Sequence, residues 1–139
     1  MTRILGIDVG EARIGLALSD ELGMLAHPLE TVHVKEGNPL KRVAEVVARE
    51  KIETVVIGLP RNMNGTYGPA AEKAREFAAK LQKLSPCMVK YWDERLTTVA
   101  AQKQLHETGK NVKNSRAVID QVAAVLILQG YLDSQAMMG

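Results

Sequence analysis

The sequence predicts an α/β fold in which helices flank a mixed β-sheet of five strands. Residues 4–9 form a short apolar run, which is typical of a strand buried on both faces. A tight turn at Gly10 and a second apolar run follow, so we expect the second strand to run antiparallel to the first. Strands and helices then alternate, and this order indicates parallel strands joined by helical crossovers.

The remaining elements follow from apolar periodicity and from start and stop signals. Asn38 before Pro39 is a helix-start signal, with a side-chain cap and a proline in the first turn. Pro28 suggests that the third strand lies at an edge or begins irregularly. The predicted elements are a third strand over 24–34, strands over 53–58 and 87–92, and helices over 39–51, 69–84, 97–109 and 115–132.

Length and composition predict one globular domain over residues 1–139. The chain is 46% hydrophobic and 24% charged, and its net charge of +2 is too small to indicate a nucleic-acid-binding protein by itself. Cys87 is the single cysteine, so a disulfide within one chain is excluded. No apolar run is long enough for a membrane span, and no secretory signal is visible. We therefore expect a cytoplasmic protein that does not bind membranes.

Acidic residues occur in segments whose other residues are suited to burial. Asp8 lies in the first strand, Asp93 and Glu94 follow the last strand, and Asp120 lies in a helix that is apolar on almost every side. Ligands collect at the carboxyl ends of parallel strands, so Asp8 and Glu94 are expected at one edge of the sheet. Taken singly, each acid is better explained by a turn, an ion pair or the helix dipole.

Taken together, these carboxylates predict a metal site. Clustered carboxylates repel one another unless a cation neutralises them, and Mg²⁺ and Mn²⁺ prefer oxygen ligands. Two such ions can stabilise the attacking and leaving oxygens of a phosphodiester. The residues thus predict a metal-dependent nuclease, with the choice between Asp93 and Glu94 as ligand left open.

Four motifs in this order resemble the YqgF, or RuvX, family of the ribonuclease H-like superfamily, which also contains Holliday junction resolvases. They are Gly6-Ile-Asp-Val-Gly10 with Gly15, the run from Gly58 to Thr66, Asp93-Glu-Arg-Leu-Thr-Thr98, and Asp120 with Ala123-Ala124 and Ile127-Leu128. The resemblance covers nearly the whole chain. It implies a ribonuclease H-like fold and a divalent-metal site, with Mg²⁺ or Mn²⁺, built from Asp8, Glu94 and Asp120.

The resemblance also implies a function in maturing the 5′ end of the small-subunit (16S) ribosomal RNA precursor. The expected partner is nucleic acid, either structured RNA or branched DNA, and the chain is expected as a monomer or a homodimer. The loop over 61–68 offers neutral hydrogen-bonding groups and exposed amides near the site, which suit phosphate oxygens, although turn chemistry explains its asparagines equally well. The candidate substrate-binding residues are Arg61, Asn62, Asn64, Arg95, Lys113 and Arg116.

Three alternatives remain at this point. A Holliday junction resolvase would need a symmetric dimer to cut two strands. A catalytically silent RNA- or ribosome-binding module on the same fold would have no need for buried carboxylates. An actin-like or sugar-kinase-like ATPase shares the first glycine motif, but it needs two such domains, and the chain lacks a lysine-bearing phosphate loop.

Overall fold

The structure, a computed structural model, describes residues 3–62, 64–96 and 115–138, and for residues 115–120 and 138 it describes the backbone alone. The helix expected over 97–109 lies outside the described residues. The elements are β1 (Ile4–Val9), β2 (Arg13–Ser19), β3 (Ala26–His33), α1 (Pro39–Arg49), β4 (Thr54–Leu59), α2 (Pro69–Leu84), β5 (Met88–Asp93) and α3 (Ser115–Met138). Short 3₁₀ turns follow β3, at Val34–Glu36, and β5, at Glu94–Leu96.

The five strands form one mixed sheet in the order β3-β2-β1-β4-β5. Strand β2 pairs antiparallel with both β1 and β3, while β1, β4 and β5 are parallel. This architecture confirms the mixed sheet and the antiparallel second strand expected from the sequence. The parallel strands bring the carboxyl ends of β1, β4 and β5 to one edge, which we call the carboxyl edge.

Alternation along the strands divides the core between the two faces of the sheet. Leu5 and Ile7 of β1 pack with the apolar sides of α1 and α2. Gly6 lies on the opposite face, where a side chain would meet Leu128 of α3 at 2.7 Å. Asp8 has the same parity as Gly6, so β1 presents Asp8 on the α3 face.

Helices α1 and α2 have the amphipathic pattern expected from the sequence. The Asn38 side chain accepts a hydrogen bond from the Lys41 amide, and Pro39 is the first helical residue, so the predicted cap is confirmed. In α2 the buried residues are Ala71, Ala74, Phe77, Ala78 and Leu81. Ala70, in the first turn of α2, is exposed.

Helix α3 differs from expectation in two respects. It continues to Met138 rather than ending near Leu132. Its described part is not buried on every side: Ala123, Ala124, Ile127 and Leu128 are buried, whereas Val122, Val125 and Leu126 are half-buried. The helix therefore covers one face of the sheet rather than lying inside the core. None of the described helices combines the length and apolar character that a membrane span needs.

Candidate nuclease site at the carboxyl edge

Asp8 lies near the end of the central strand, and its side chain is buried. The residue is 3% exposed. Across the sheet it pairs with Gly15, which pairs with Thr31, so the three form one row on the α3 face. The following turn is closed by the Gly10 amide, which donates to the Arg13 carbonyl at 2.9 Å.

Gly10 has no positive φ in this turn. The glycines with positive φ in the described chain are Gly23, Gly37 and Gly65. A β-carbon on Gly10 would instead lie 2.6 Å from the Arg13 carbonyl oxygen. Gly10 is therefore required for the close approach of two backbone segments beside Asp8.

Glu94 reaches the same face from the other side of strand β4. It begins the 3₁₀ turn after β5 and is 4% exposed. One of its carboxylate oxygens, Oε2, lies 3.1 Å from the position that a β-carbon on Gly58 would take. Ile7 pairs with Ile57, so Gly58 of β4 is level with Asp8 of β1. The missing side chain at Gly58 thus lets Ile127 of α3 and the Glu94 carboxylate approach strand β4 closely.

Asp93 points to the opposite face, which separates its role from that of Glu94. Its register partner is Leu59, which belongs to the core under α1 and α2. Asp93 accepts hydrogen bonds from the amide and the guanidinium of Arg95, and its Oδ2 lies 3.5 Å from Nη1 of Arg61. The hydrogen bonds from the Arg95 side chain lower the pKa of the Asp93 carboxyl. Of the two neighbouring acids, Glu94 is therefore the one on the α3 face with Asp8.

Asp120 belongs to α3, and its side chain lies outside the described residues. The next residue, Gln121, donates from Nε2 to the Thr31 hydroxyl at 2.9 Å. Thr31 is in the row of Asp8 and Gly15, so this end of α3 crosses the sheet at the level of Asp8. Among the residues whose side chains are described, no group of three or more His, Cys, Asp or Glu could hold a metal ion, so Asp120 as third ligand remains a prediction.

The loop over 61–68 lies at the carboxyl edge, as expected, because Arg61 reaches Asp93 from it. Its asparagine side chains take part in turn chemistry. Asn62 donates to the Thr66 hydroxyl at 3.0 Å, and Asn64 accepts from the Thr66 amide at 3.0 Å. These contacts favour the structural interpretation of Asn62 and Asn64 over direct substrate binding.

The other candidate substrate-binding residues are only partly placed by the structure. Arg95 lies exposed beside Asp93. Arg116 is in the first turn of α3, and its side chain is outside the described part; Lys113 lies outside it altogether. Two side chains at this edge were missed by the sequence analysis, Tyr67 and Arg75, whose ring and guanidinium group meet only in the folded chain.

The sheet order and the position of Asp8 on the central strand define a ribonuclease H-like fold. The solved structures agree: Thermus thermophilus RuvC in complex with a Holliday junction substrate superposes with a TM-score of 0.61, 18% identity and coverage of 97% of each chain. RuvC from the same organism in a second structure gives a TM-score of 0.57 with 17% identity, over 98% of this chain and 97% of that chain. At these identities the likeness concerns the fold.

Sequence comparison assigns the family. The family model described as "RuvX: Holliday junction resolvase" matches residues 2–134, and the chain belongs to this family. A protein of Acetivibrio thermocellus is 48% identical over 96% of each chain, and one of Halalkalibacterium halodurans is 46% identical over 96% of this chain and 97% of its own length. Both relatives carry the name "Putative pre-16S rRNA nuclease". The resemblance seen in the sequence motifs is confirmed.

Proposed function

We propose that the chain is a metal-dependent nuclease that hydrolyses phosphodiester bonds while processing the 5′ end of the 16S ribosomal RNA precursor. One observation carries this proposal: the buried carboxylates of Asp8 and Glu94 lie on one face of the sheet, on either side of Gly58 in strand β4. Burying two carboxylates costs free energy unless their charges are compensated. The names of the relatives support the reaction class and the RNA substrate.

The donor set fits a hard divalent cation, Mg²⁺ or Mn²⁺, because Asp8 and Glu94 offer carboxylate oxygens. Asp120 is the third proposed ligand. A divalent cation supplies Lewis-acid stabilisation and an activated water when bound at such a site. The chain itself provides the rigid strand ends that position the carboxylates.

The substrate is proposed to be structured RNA, bound in part by the guanidinium groups of Arg61 and Arg95. Both groups are held at the carboxyl edge by Asp93, which is next to Glu94 in the chain. Processing of ribosomal RNA would place the chain in the cytoplasm.

The second candidate function is resolution of Holliday junctions in DNA, which the description of the matching family favours. Cutting two strands symmetrically requires two active sites related by a two-fold axis. The solution mass of the chain and the cleavage of branched DNA therefore distinguish this function from RNA processing.

The test is a cleavage panel. Precursor 16S RNA containing the 5′ maturation site, an unstructured RNA and a four-way DNA junction are incubated with the chain and Mg²⁺, Mn²⁺ or excess chelator. We expect cleavage of the precursor RNA with metal and none with chelator. Asp8→Asn and Glu94→Gln should each reduce the rate by about 10³-fold or more, since tenfold corresponds to about 1.4 kcal/mol and a bound Lewis acid supplies several.

Glu11→Gln is the matched control, because Glu11 is an exposed carboxylate in the turn after β1 that pairs with Lys73. It should leave the cleavage rate unchanged, and melting temperatures verify that all variants are folded. Cleavage of the junction alone would replace the proposed substrate with DNA. RNA binding without cleavage by the wild-type chain would favour the silent binding module, and full activity of Asp8→Asn would refute the site.

A further inference from the structure

Tyr67 is in contact with two guanidinium groups at the carboxyl edge. The central guanidinium carbon of Arg61 lies 4.7 Å from the centroid of its ring, and that of Arg75 lies 4.4 Å from it. Arg61 comes from the loop after β4 and Arg75 from helix α2. The ring thereby joins two cations from different elements, and it remains 40% exposed.

Asp93 connects a third guanidinium, that of Arg95, to Tyr67 and the two arginines that contact its ring. It binds Arg95 through its Oδ2 at 2.9 Å and lies 3.5 Å from Arg61. We call Tyr67, Arg61, Arg75 and Arg95 the guanidinium cluster. Its three cations face two carboxylates, Asp93 and Glu72, the latter paired with Arg75, so the cluster keeps a net positive charge of one.

The geometry suits phosphate oxygens. A guanidinium has five N–H donors in a planar fork, which is more than these contacts use. An aromatic ring takes up the flat face of the group and leaves the N–H edge available to a ligand. Surface arginines held in this way bind phosphates with less loss of side-chain freedom than mobile ones.

We propose that the guanidinium cluster binds backbone phosphates of the nucleic acid beside the carboxylates, with Arg75 in direct contact and Tyr67 as a positioning residue. This proposal rests on the proposed function for the identity of the ligand. Asp93 and Glu94 are consecutive, so their Cα atoms are about 3.8 Å apart, and they point to opposite faces. The bound strand therefore crosses the carboxyl edge, from the carboxylates on the α3 face to the guanidinium cluster on the α2 side.

The test measures binding separately from cleavage. The affinity of a fluorescently labelled single-stranded RNA is determined by anisotropy in the Asp8→Asn background, between about 50 and 200 mM salt. In that background Arg75→Gln is compared with Lys83→Gln, which removes the same charge from an exposed position in the last turn of α2. Each phosphate contact on a single strand contributes about 0.7 to the slope of log affinity against log salt.

We expect Arg75→Gln to weaken binding several-fold at the lowest salt and to lower the salt slope by about 0.7. Over this roughly fourfold range of salt, the ratio of the parent's affinity to that of Arg75→Gln should then fall by about 2.6-fold. Lys83→Gln should match the parent in affinity and slope. If Arg75→Gln also matches the parent in affinity and slope, the proposal is overturned, even when the cleavage panel succeeds. If the chain does not cleave RNA but Arg75→Gln weakens binding as described, the guanidinium cluster is supported as a binding surface and the proposed nuclease activity is refuted.

The role of Tyr67 is tested by replacing the ring with an aliphatic or an aromatic side chain. Tyr67→Leu should raise the dissociation constant several-fold, and Tyr67→Phe, which keeps the ring, should restore it. In the cleaving chain, Tyr67→Leu should raise KM and leave kcat at saturating RNA unchanged. A lower melting temperature with an unchanged dissociation constant would show that the ring merely packs the loop, and would refute its positioning role.

Discussion

Gly58→Ala is the substitution whose effect the structure defines most sharply. The new β-carbon would lie 2.4 Å from Cδ1 and 3.0 Å from Cγ1 of Ile127, and 3.1 Å from Oε2 of Glu94. Gly58 has no positive φ, so the backbone accepts alanine without strain. The cost therefore comes from overpacking against α3, whose Ile127 is fully buried.

The magnitude follows from two opposing effects. Overpacking a buried position costs typically about 1–3 kcal/mol. Alanine restricts the unfolded chain more than glycine does, and this effect stabilises the folded state by about 0.4–1 kcal/mol. We expect a net loss of about 1–2 kcal/mol, which lowers the melting temperature by roughly 3–8 °C for a domain of this size. Calorimetry and urea unfolding measure this loss.

A double-mutant cycle tests the cause. Ile127→Val removes Cδ1, the atom that the new methyl group meets most closely, and by itself costs about 0.5–1.5 kcal/mol. Gly58→Ala should therefore be less destabilising in the Ile127→Val background, with a coupling energy of about 1 kcal/mol. Cleavage should be reduced in Gly58→Ala and equally in the double variant, because in both the new methyl group lies beside the Glu94 carboxylate.

Gly6→Ala is the contrasting substitution on the same face. Its β-carbon would meet Cβ of Leu128 at 2.7 Å and the Ala124 carbonyl at 3.1 Å. These atoms are fixed to the helix, so Leu128→Ala, which keeps Cβ, should not relieve the contact. The packing argument would be refuted if Gly58→Ala were as stable as the wild type. It would also be refuted if Leu128→Ala relieved the destabilisation of Gly6→Ala as much as Ile127→Val relieves that of Gly58→Ala.

Three further predictions concern the rest of the fold. Two hydrogen bonds of 2.7 Å from Arg42 hold the pKa of Glu30 below its ordinary value, so Glu30→Gln should cost about 0.5–1 kcal/mol at pH 7 after solvent screening. A lowered pKa stabilises the fold above the unfolded value of about 4.3, so in urea unfolding the difference should shrink as the pH falls below that value and vanish only below the lowered pKa; a difference constant with pH would contradict this. Asn38→Ala should lower stability by about 1 kcal/mol through loss of the α1 cap, whereas Asn38→Ser should retain most of it. Burial raises the pKa of the Cys87 thiol, so iodoacetamide at about pH 8 should modify it more slowly in the native chain than in urea, as mass spectrometry would show.

The order and type of the elements were predictable from the sequence because each depends on local patterns. Apolar runs bounded by turns indicated the strands, and Asn38 before Pro39 indicated the start of α1. The end of α3 was placed too early, since residues 133–138 carry no strong stop signal before the terminal glycine. Asp8 and Glu94 were singled out because acids in otherwise apolar segments need a physical reason.

The sequence by itself determined the strands, the mixed sheet and the family, and it singled out Asp8 and Glu94. Only the tertiary structure showed that Glu94, and not Asp93, lies on the face of Asp8, because consecutive residues point to different faces once β5 ends and the 3₁₀ turn begins. The contact of Tyr67 with Arg61 and Arg75 was equally hidden, since it joins a loop and a helix face. Periodicity records which side of an element is buried, whereas the meeting of side chains from separate elements depends on how the faces pack.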